Sequence, residues 1–379
     1  VWIKRDVTTD EKQAIHDLGI PGVGFEEEQK RVYTYGNIFS HLIGYVGRDN
    51  DGLAGLEKSY NDFLTKSERG PGGEDKLVLT VDAKVQAIVS DELEKFMETF
   101  RATTGVVMVV DVTNGEVIAC TSKPDFNPHD PSKASAAQLF NMYSLGVREL
   151  GSVMKTISMA IGIDSGCTTV NDVYDVTTMR VANFNVKDYH KAEGWYTVPQ
   201  IFLHSSNVGM SQIMFEVGRD EYKRYLDRLG LTEKLGIEIP EKGTPLIQNL
   251  SRWNDLTIAT MSYGYGMAIS PAHFVNATVP IVNGGIMYPL HFVKKNEPIE
   301  GVRVLKSETS EDIRRLMRLV VSHGTGRKAA VKGYLVGGKT GTANRREGRK
   351  YVEHARDSSF VSIFPAHAPK YLIFINLED

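Results

Sequence analysis

Cys120 and Cys167 are the only cysteines in 379 residues. Two thiols are too few for a disulfide framework, and their spacing is not that of a zinc site. Both sit beside apolar residues and read as unpaired, partly buried thiols, with a single bridge in an oxidising compartment as the alternative. Excess charge is also missing. The formal net charge is −3, which leaves no broad basic field for nucleic acid or an anionic membrane surface. The local cluster Arg345, Arg346, Arg349 and Lys350 reads as a solvated loop. No apolar run approaches the roughly 18 residues of a membrane helix, and the longest, such as Tyr371 to Leu377, read as strands. Neither an initiator methionine nor a signal peptide precedes Val1-Trp2-Ile3-Lys4, so the expectation is that a natural N-terminus, with any anchor, has been removed. There is no internal repeat or low-complexity tract, and no metal or cofactor is expected.

What is present is ordinary globular composition, 41% hydrophobic and 24% charged. The length exceeds the roughly 100 to 200 residues of one domain, which favours one large and one small unit. Glu68-Arg69-Gly70-Pro71-Gly72-Gly73-Glu74 interrupts any regular pattern and places the boundary: a small loop-rich module over 1–73 and a larger domain over 74–379. Within the larger unit, Val85, Ile88, Val89, Leu93, Phe96, Met97 and Phe100 recur at helical spacing, and their stripe is expected to be core. Val106 to Val112 and Glu116 to Cys120 flank an Asn-Gly hairpin signal at Thr113-Asn114-Gly115. Gly151 to Ile163 reads as an apolar helix closed by Gly166. Ser310 reads as the cap of another, with Ile313, Leu316, Met317, Val320 and Val321 buried. Tyr334 to Ala343, Ser359 to Phe364 and Tyr371 to Leu377 read as antiparallel strands. The fold class is therefore mixed α+β.

Three short patterns carry chemistry. Ser152-Val153-Met154-Lys155 sets a hydroxyl and an amine one helical turn apart on one face. Lys155 activates such a serine only if burial or another cation lowers its pKa, and the helix N-terminus offers N–H groups to an oxyanion. Ser205-Ser206-Asn207 adds a second hydroxyl for proton relay and an amide to orient a lysine or a carbonyl. Ser59-Tyr60-Asn61 fits the same pattern but precedes Ser152 and reads as surface. Lys339-Thr340-Gly341-Thr342 lies on a strand-like run, where a cation and hydroxyls hold a carboxylate and Gly341 permits close approach by a ligand. Gly333 to Thr340 also matches the phosphate-loop pattern literally. Tyr334-Leu335-Val336 is strand-like and Asn344 to Lys350 has no apolar stripe, so nucleotide binding is set aside.

Taken in the order Ser-x-x-Lys, Ser-x-Asn, Lys-Thr-Gly, these motifs resemble the signature of penicillin-binding proteins and serine β-lactamases. Leu79 to Asp82, Gly105 to Pro124, Ser262-Tyr263-Gly264-Tyr265-Gly266, Asn283-Gly284-Gly285 and Gly337 to Ala343 look like class B penicillin-binding proteins. Ile43 to Gly47 and Gly55 to Tyr60 look like the non-catalytic N-terminal region of that class. Ser262 to Gly285 is most similar to the septal, division-type members. The resemblance implies a five-stranded antiparallel sheet flanked by helices. It also implies a D,D-transpeptidase acting on peptidoglycan stem peptides ending in D-Ala-D-Ala, acylated by β-lactams. It further implies anchorage at the periplasmic face of the cytoplasmic membrane, and division or glycosyltransferase partners there.

Carried over by position, the resemblance makes Ser152 the nucleophile and Lys155 its base. Ser205 and Lys339 handle the leaving-group proton, and Asn207 positions Lys155 and substrate. Lys339, Thr340 and Thr342 bind the terminal carboxylate beside Gly341, and the N–H groups of Ser152 and Thr342 form the oxyanion hole. Glu149 and Tyr265 match positions near the substrate. Val153-Met154 replaces the more usual Thr-Phe, and Leu150 and Thr34 stand where prolines are common, without removing a reacting group. The chain also ends at Asp379, before the last strand expected of the fold. A β-lactamase, a D,D-carboxypeptidase and a penicillin-sensing or scaffold domain are the alternatives. No Glu-x-x-Leu-Asn segment follows Asn207 to place a deacylating water.

Overall fold

The structure, a computed structural model, describes residues 1–66, 76–190, 193–347 and 350–379, with the side chains of Lys66 and 344–356 left undescribed. The boundary expected at Glu68 to Glu74 lies outside the described residues.

Helix α1 (Ala83–Phe100) starts at Asp82, whose carboxylate accepts from the N–H groups of Lys84 and Val85. Strands β1 (Thr104–Asp111) and β2 (Val117–Lys123) follow as the expected hairpin, with Met108 opposite Cys120. A 3₁₀ turn, Gly151–Met154, leads into α2 (Lys155–Asp164). Short strands β3 (Met179–Val181) and β4 (Phe184–Val186) pair with each other before α3 (Val198–His204) and α4 (Asn207–Val217). Then come α5 (Pro271–Val282), α6 (Ser307–His323), β5 (Gly337–Glu347), β6 (Lys350–Phe364) and β7 (Tyr371–Glu378).

The five long strands form one antiparallel sheet in the order β5-β6-β7-β1-β2. Side-chain alternation splits its two faces. Val107, Val109, Ile373 and Ile375 meet Val85, Val89, Leu93 and Met97 of α1. Val106, Met108, Val110, Leu372 and Phe374 face the main core, where Phe374 packs on Phe274 of α5 at 5.1 Å between ring centroids. The central helix α2 is buried almost throughout, and its end is clamped at Asp164. That carboxylate accepts from Tyr225 Oη (2.8 Å), the Lys306 N–H (2.7 Å) and Thr309 Oγ1 (2.8 Å).

Several sequence expectations are corrected. The helix expected from Gly151 begins as a 3₁₀ turn over Gly151–Met154, the tighter winding common at helix N-termini. Ser310 caps nothing: α6 starts at Ser307, and the Ser310 hydroxyl accepts from the Gly284 N–H at 2.9 Å, although its five expected core residues are all buried. The strand expected from Tyr334 starts at Gly337, where ladder pairing with Ile363 begins. The basic stretch expected as a loop is partly ladder, since Arg346 pairs with Tyr351. In α1, Ile88, Phe96 and Phe100 are exposed, leaving four of the seven stripe residues, Val85, Val89, Leu93 and Met97, as core. The strand expected to be missing is not: β7 completes the sheet.

Residues of the N-terminal module join the main core. Phe39, Leu42 and Leu56 pack there, while Gln86 Nε2 donates to the Ile38 carbonyl (2.6 Å) and Asn141 Nδ2 to that of His41 (3.2 Å). Cys120 is buried, Cys167 half-buried, and both are free. Among the described residues, no helix is long and apolar enough to cross a membrane.

Candidate active site

Three elements converge at one point. Ser152 and Lys155 come from the 3₁₀ turn and the first residue of α2, Ser205 and Asn207 from the α3–α4 junction, and Lys339 from β5. Gly341 explains how the turn and the strand come so close. A Cβ there would lie 2.8 Å from Val153 Cγ1 and 2.9 Å from the Val153 nitrogen. One close approach that Gly341 permits is thus to the turn carrying Ser152. Gly264 does the same from the other side: its φ is +96°, and a Cβ would meet the Gly151 carbonyl oxygen at 2.0 Å.

Lys155 is fully buried, and its Nζ has four oxygens within reach: Ser205 O at 2.7 Å, Asn207 Oδ1 at 2.7 Å, Ser152 Oγ at 3.0 Å and Ser205 Oγ at 3.1 Å. Two of these are carbonyl oxygens and only accept; the other two are hydroxyls and can donate. A neutral amine fits this set completely. In that form its two N–H groups can go to the carbonyls and its single lone pair to one hydroxyl, that of Ser152 or of Ser205. Burial pushes the Lys155 pKa well below its ordinary value, the Lys339 charge pushes it the same way, and Asp188 opposes both.

Lys339 is also fully buried. Its Nζ donates to Ser205 Oγ (2.9 Å) and to the Thr340 carbonyl (3.1 Å), and burial lowers its pKa to about 7. Ser205 therefore stands between two amines. It holds a left-handed backbone conformation, φ 58° and ψ 43°, rare for a residue with a Cβ and a mark of a position fixed by its surroundings.

The remaining expected residues divide. Thr340 lies beside Lys339, and its hydroxyl shares a 2.7 Å hydrogen bond with that of Thr325. Thr342 is exposed, with its carbonyl against Gly151. Glu149 is tied to the scaffold: its carboxylate accepts from the Gly266 N–H at 2.7 Å. Tyr265 packs edge-on against Tyr263. Ser59 and Asn61 lie in the N-terminal module, where Asn61 Oδ1 accepts from the Gly52 N–H at 2.8 Å. The residues set aside as a phosphate loop run into β5, and among the described residues no helix follows Lys339-Thr340. Sequence reasoning missed Asp188, Gly151 and Thr325. Asp188 is remote in sequence from everything it touches, whereas Gly151, directly before the nucleophile, carried a readable signal.

The family model for the penicillin binding protein transpeptidase domain matches residues 105–379, and that for the penicillin-binding protein dimerisation domain matches 1–71. The chain is 36% identical over 390 residues to the "Probable peptidoglycan D,D-transpeptidase FtsI" of Caulobacter vibrioides, covering all of this chain and 66% of that protein. It is 28% identical over 404 residues to the peptidoglycan D,D-transpeptidase FtsI of Escherichia coli, covering 100% and 68%. The chain thus spans about two thirds of the length of these relatives. Among solved structures, penicillin binding protein 3 of Mycobacterium tuberculosis, complexed with aztreonam, superposes with a TM-score of 0.86 at 26% identity, covering 93% of this chain and 84% of that one.

Proposed function

The chain belongs to the penicillin-binding protein transpeptidase family, and we propose that it is a D,D-transpeptidase that cross-links peptidoglycan stem peptides through a Ser152 acyl-enzyme, in septal wall synthesis. The observation that carries this is the buried Lys155 Nζ, 2.7 Å from each of two carbonyl oxygens and 3.0 Å from Ser152 Oγ, a setting in which a neutral amine can take the Ser152 proton.

Acylation starts when Lys155 takes the Ser152 proton and Oγ attacks the penultimate D-alanine carbonyl. The resulting oxyanion sits on the N–H groups of Ser152 and Thr342. As the intermediate collapses, the C–N bond breaks and the departing D-alanine amine takes, through Ser205, the proton that Lys155 removed from Ser152, while Lys339 stays charged and holds the Ser205 oxygen. Thr340, Thr342 and charged Lys339 hold the terminal carboxylate, while Glu149 and Tyr265 shape the wall of the groove through the Gly264–Gly266 loop. The amine of a second stem peptide then attacks the Ser152 ester, the C–Oγ bond breaks, and the proton the amine gives up passes through Lys155 to Ser152 Oγ, freeing the serine. A β-lactam follows the first half of this path, but its leaving group stays tethered, so the adduct persists.

The names of the relatives, peptidoglycan D,D-transpeptidases FtsI, support the septal role; a site at the periplasmic face of the cytoplasmic membrane, and division or glycosyltransferase partners there, are part of the same proposal. The test is incubation with a stem peptide ending in D-Ala-D-Ala, with and without an amine acceptor. A Ser152-dependent new amide supports transpeptidation. Release of D-alanine with only the shortened peptide as product would make the enzyme a carboxypeptidase.

A further inference from the structure

The α3–α4 junction has to present two oxygens to Lys155, and a segment from elsewhere in the chain holds it. Lys187 and Asp188 follow directly on β4. The Lys187 carbonyl accepts from Asn207 Nδ2 at 2.8 Å, which fixes the amide so that Oδ1 faces Lys155. The Asp188 carboxylate accepts three hydrogen bonds: from the Asn207 N–H (2.5 Å), the Val208 N–H (3.0 Å) and Ser206 Oγ (2.6 Å). The first two are unpaired donors at the start of α4. The third is the helix's own capping hydroxyl, which accepts from the Gly209 N–H at 3.0 Å.

We infer that Asp188 is a positioning residue for acylation, clamping the Ser205-Ser206-Asn207 turn so that the Ser205 and Asn207 carbonyl oxygens take the two N–H groups of Lys155 and leave its lone pair for Ser152. This rests on the acyl-enzyme reading above. Ser205 is left-handed, a conformation that the turn adopts only while its neighbours hold it. Two charged groups bear on Lys155: Lys339 from β5, which opposes its protonation, and Asp188 from the β4 strap, which favours it. The remaining neighbours, Ser152, Ser205 and Asn207, are neutral.

Two variants separate geometry from charge. Asp188→Asn keeps an oxygen for the two backbone N–H groups but removes the charge, while Asp188→Ala removes the clamp. Acylation by benzylpenicillin is followed against pH, with the acylation rate separated from the binding constant. For Asp188→Asn, the limb on which the rate rises with pH moves to lower pH, because the protonated form of Lys155 has lost its counter-charge. Asp188→Ala loses at least about tenfold in the acylation rate, the effect of one charged clamp, with a smaller change in binding. If Asp188→Ala fails to fold, the Asp188→Asn limb decides. A limb that coincides with the unmodified protein's, or an Asp188→Ala protein acylating within about twofold, would overturn the inference. Absence of any adduct on the unmodified protein would overturn the acyl-enzyme reading instead.

Discussion

Lys155 and Lys339 reach the same hydroxyl oxygen, Ser205 Oγ, at 3.1 and 2.9 Å. Two fully buried amines on one oxygen cannot both stay charged without cost, and each pKa is depressed, Lys339 to about 7. The proposed acylation has Lys155 neutral and Lys339 charged. The second-order rate constant for benzylpenicillin therefore rises as Lys155 loses its proton and falls as Lys339 loses its own near pH 7, giving a bell for the free enzyme. A profile flat from about pH 6 to 9 would exclude these assignments.

Burying an amine also weakens the fold. The folded-state pKa of Lys339 is about 7 against an ordinary 10.5. Between those values the unfolded chain binds a proton that the folded chain does not, so this group's contribution makes stability rise with pH across that window. Below pH 7 its burial cost is fully present. Lys339→Met is expected to raise stability at pH 6 by roughly 1 to 3 kcal/mol while abolishing acylation. Denaturant unfolding of the variant at two pH values reads both the gain and its decline.

Gly264 has no room for a side chain. Alanine there would face a left-handed φ and the Gly151 carbonyl oxygen at 2.0 Å, and both atoms in the clash are constrained by backbone. Gly264→Ala is expected to lose more than about 2 kcal/mol of stability or to displace the nucleophile turn. Gly166→Ala, at φ +79° with nothing within 4 Å, is the control for strain without a clash.

Thr325 lies outside the three motifs and reaches the site through one hydrogen bond to Thr340. Thr325→Val frees the Thr340 hydroxyl to rotate. The binding constant for a carboxylate-bearing β-lactam is expected to weaken by about two- to tenfold, with the acylation rate nearly unchanged. A loss confined to the rate would place Thr325 elsewhere in the chemistry.

Much of the site was legible because its chemistry is periodic. Ser152 and Lys155 share a face at a three-residue step, and Lys339, Thr340 and Thr342 ride on one strand. The five core positions of α6 followed from spacing alone. What could not be read were the contacts between segments remote in sequence. Asp188 supports Asn207 from 19 residues upstream, Gly264 is required by the Gly151 carbonyl as well as by its own φ, and Gly341 accommodates Val153. The glycine at 151 is likewise required by packing against Thr342, since a Cβ there would lie 2.5 Å from the Thr342 oxygen. The exposed part of the α1 stripe carries the same periodic signal as the core part, and periodicity alone does not tell them apart.

The most direct measurement is intact-mass spectrometry after incubation with benzylpenicillin, comparing the protein with its Ser152→Ala variant over hours. A single long-lived adduct on the unmodified protein and none on the variant is the expected result. An adduct that survives the substitution, or one that decays rapidly with release of hydrolysed drug, would contradict a Ser152 acyl-enzyme built for transpeptidation.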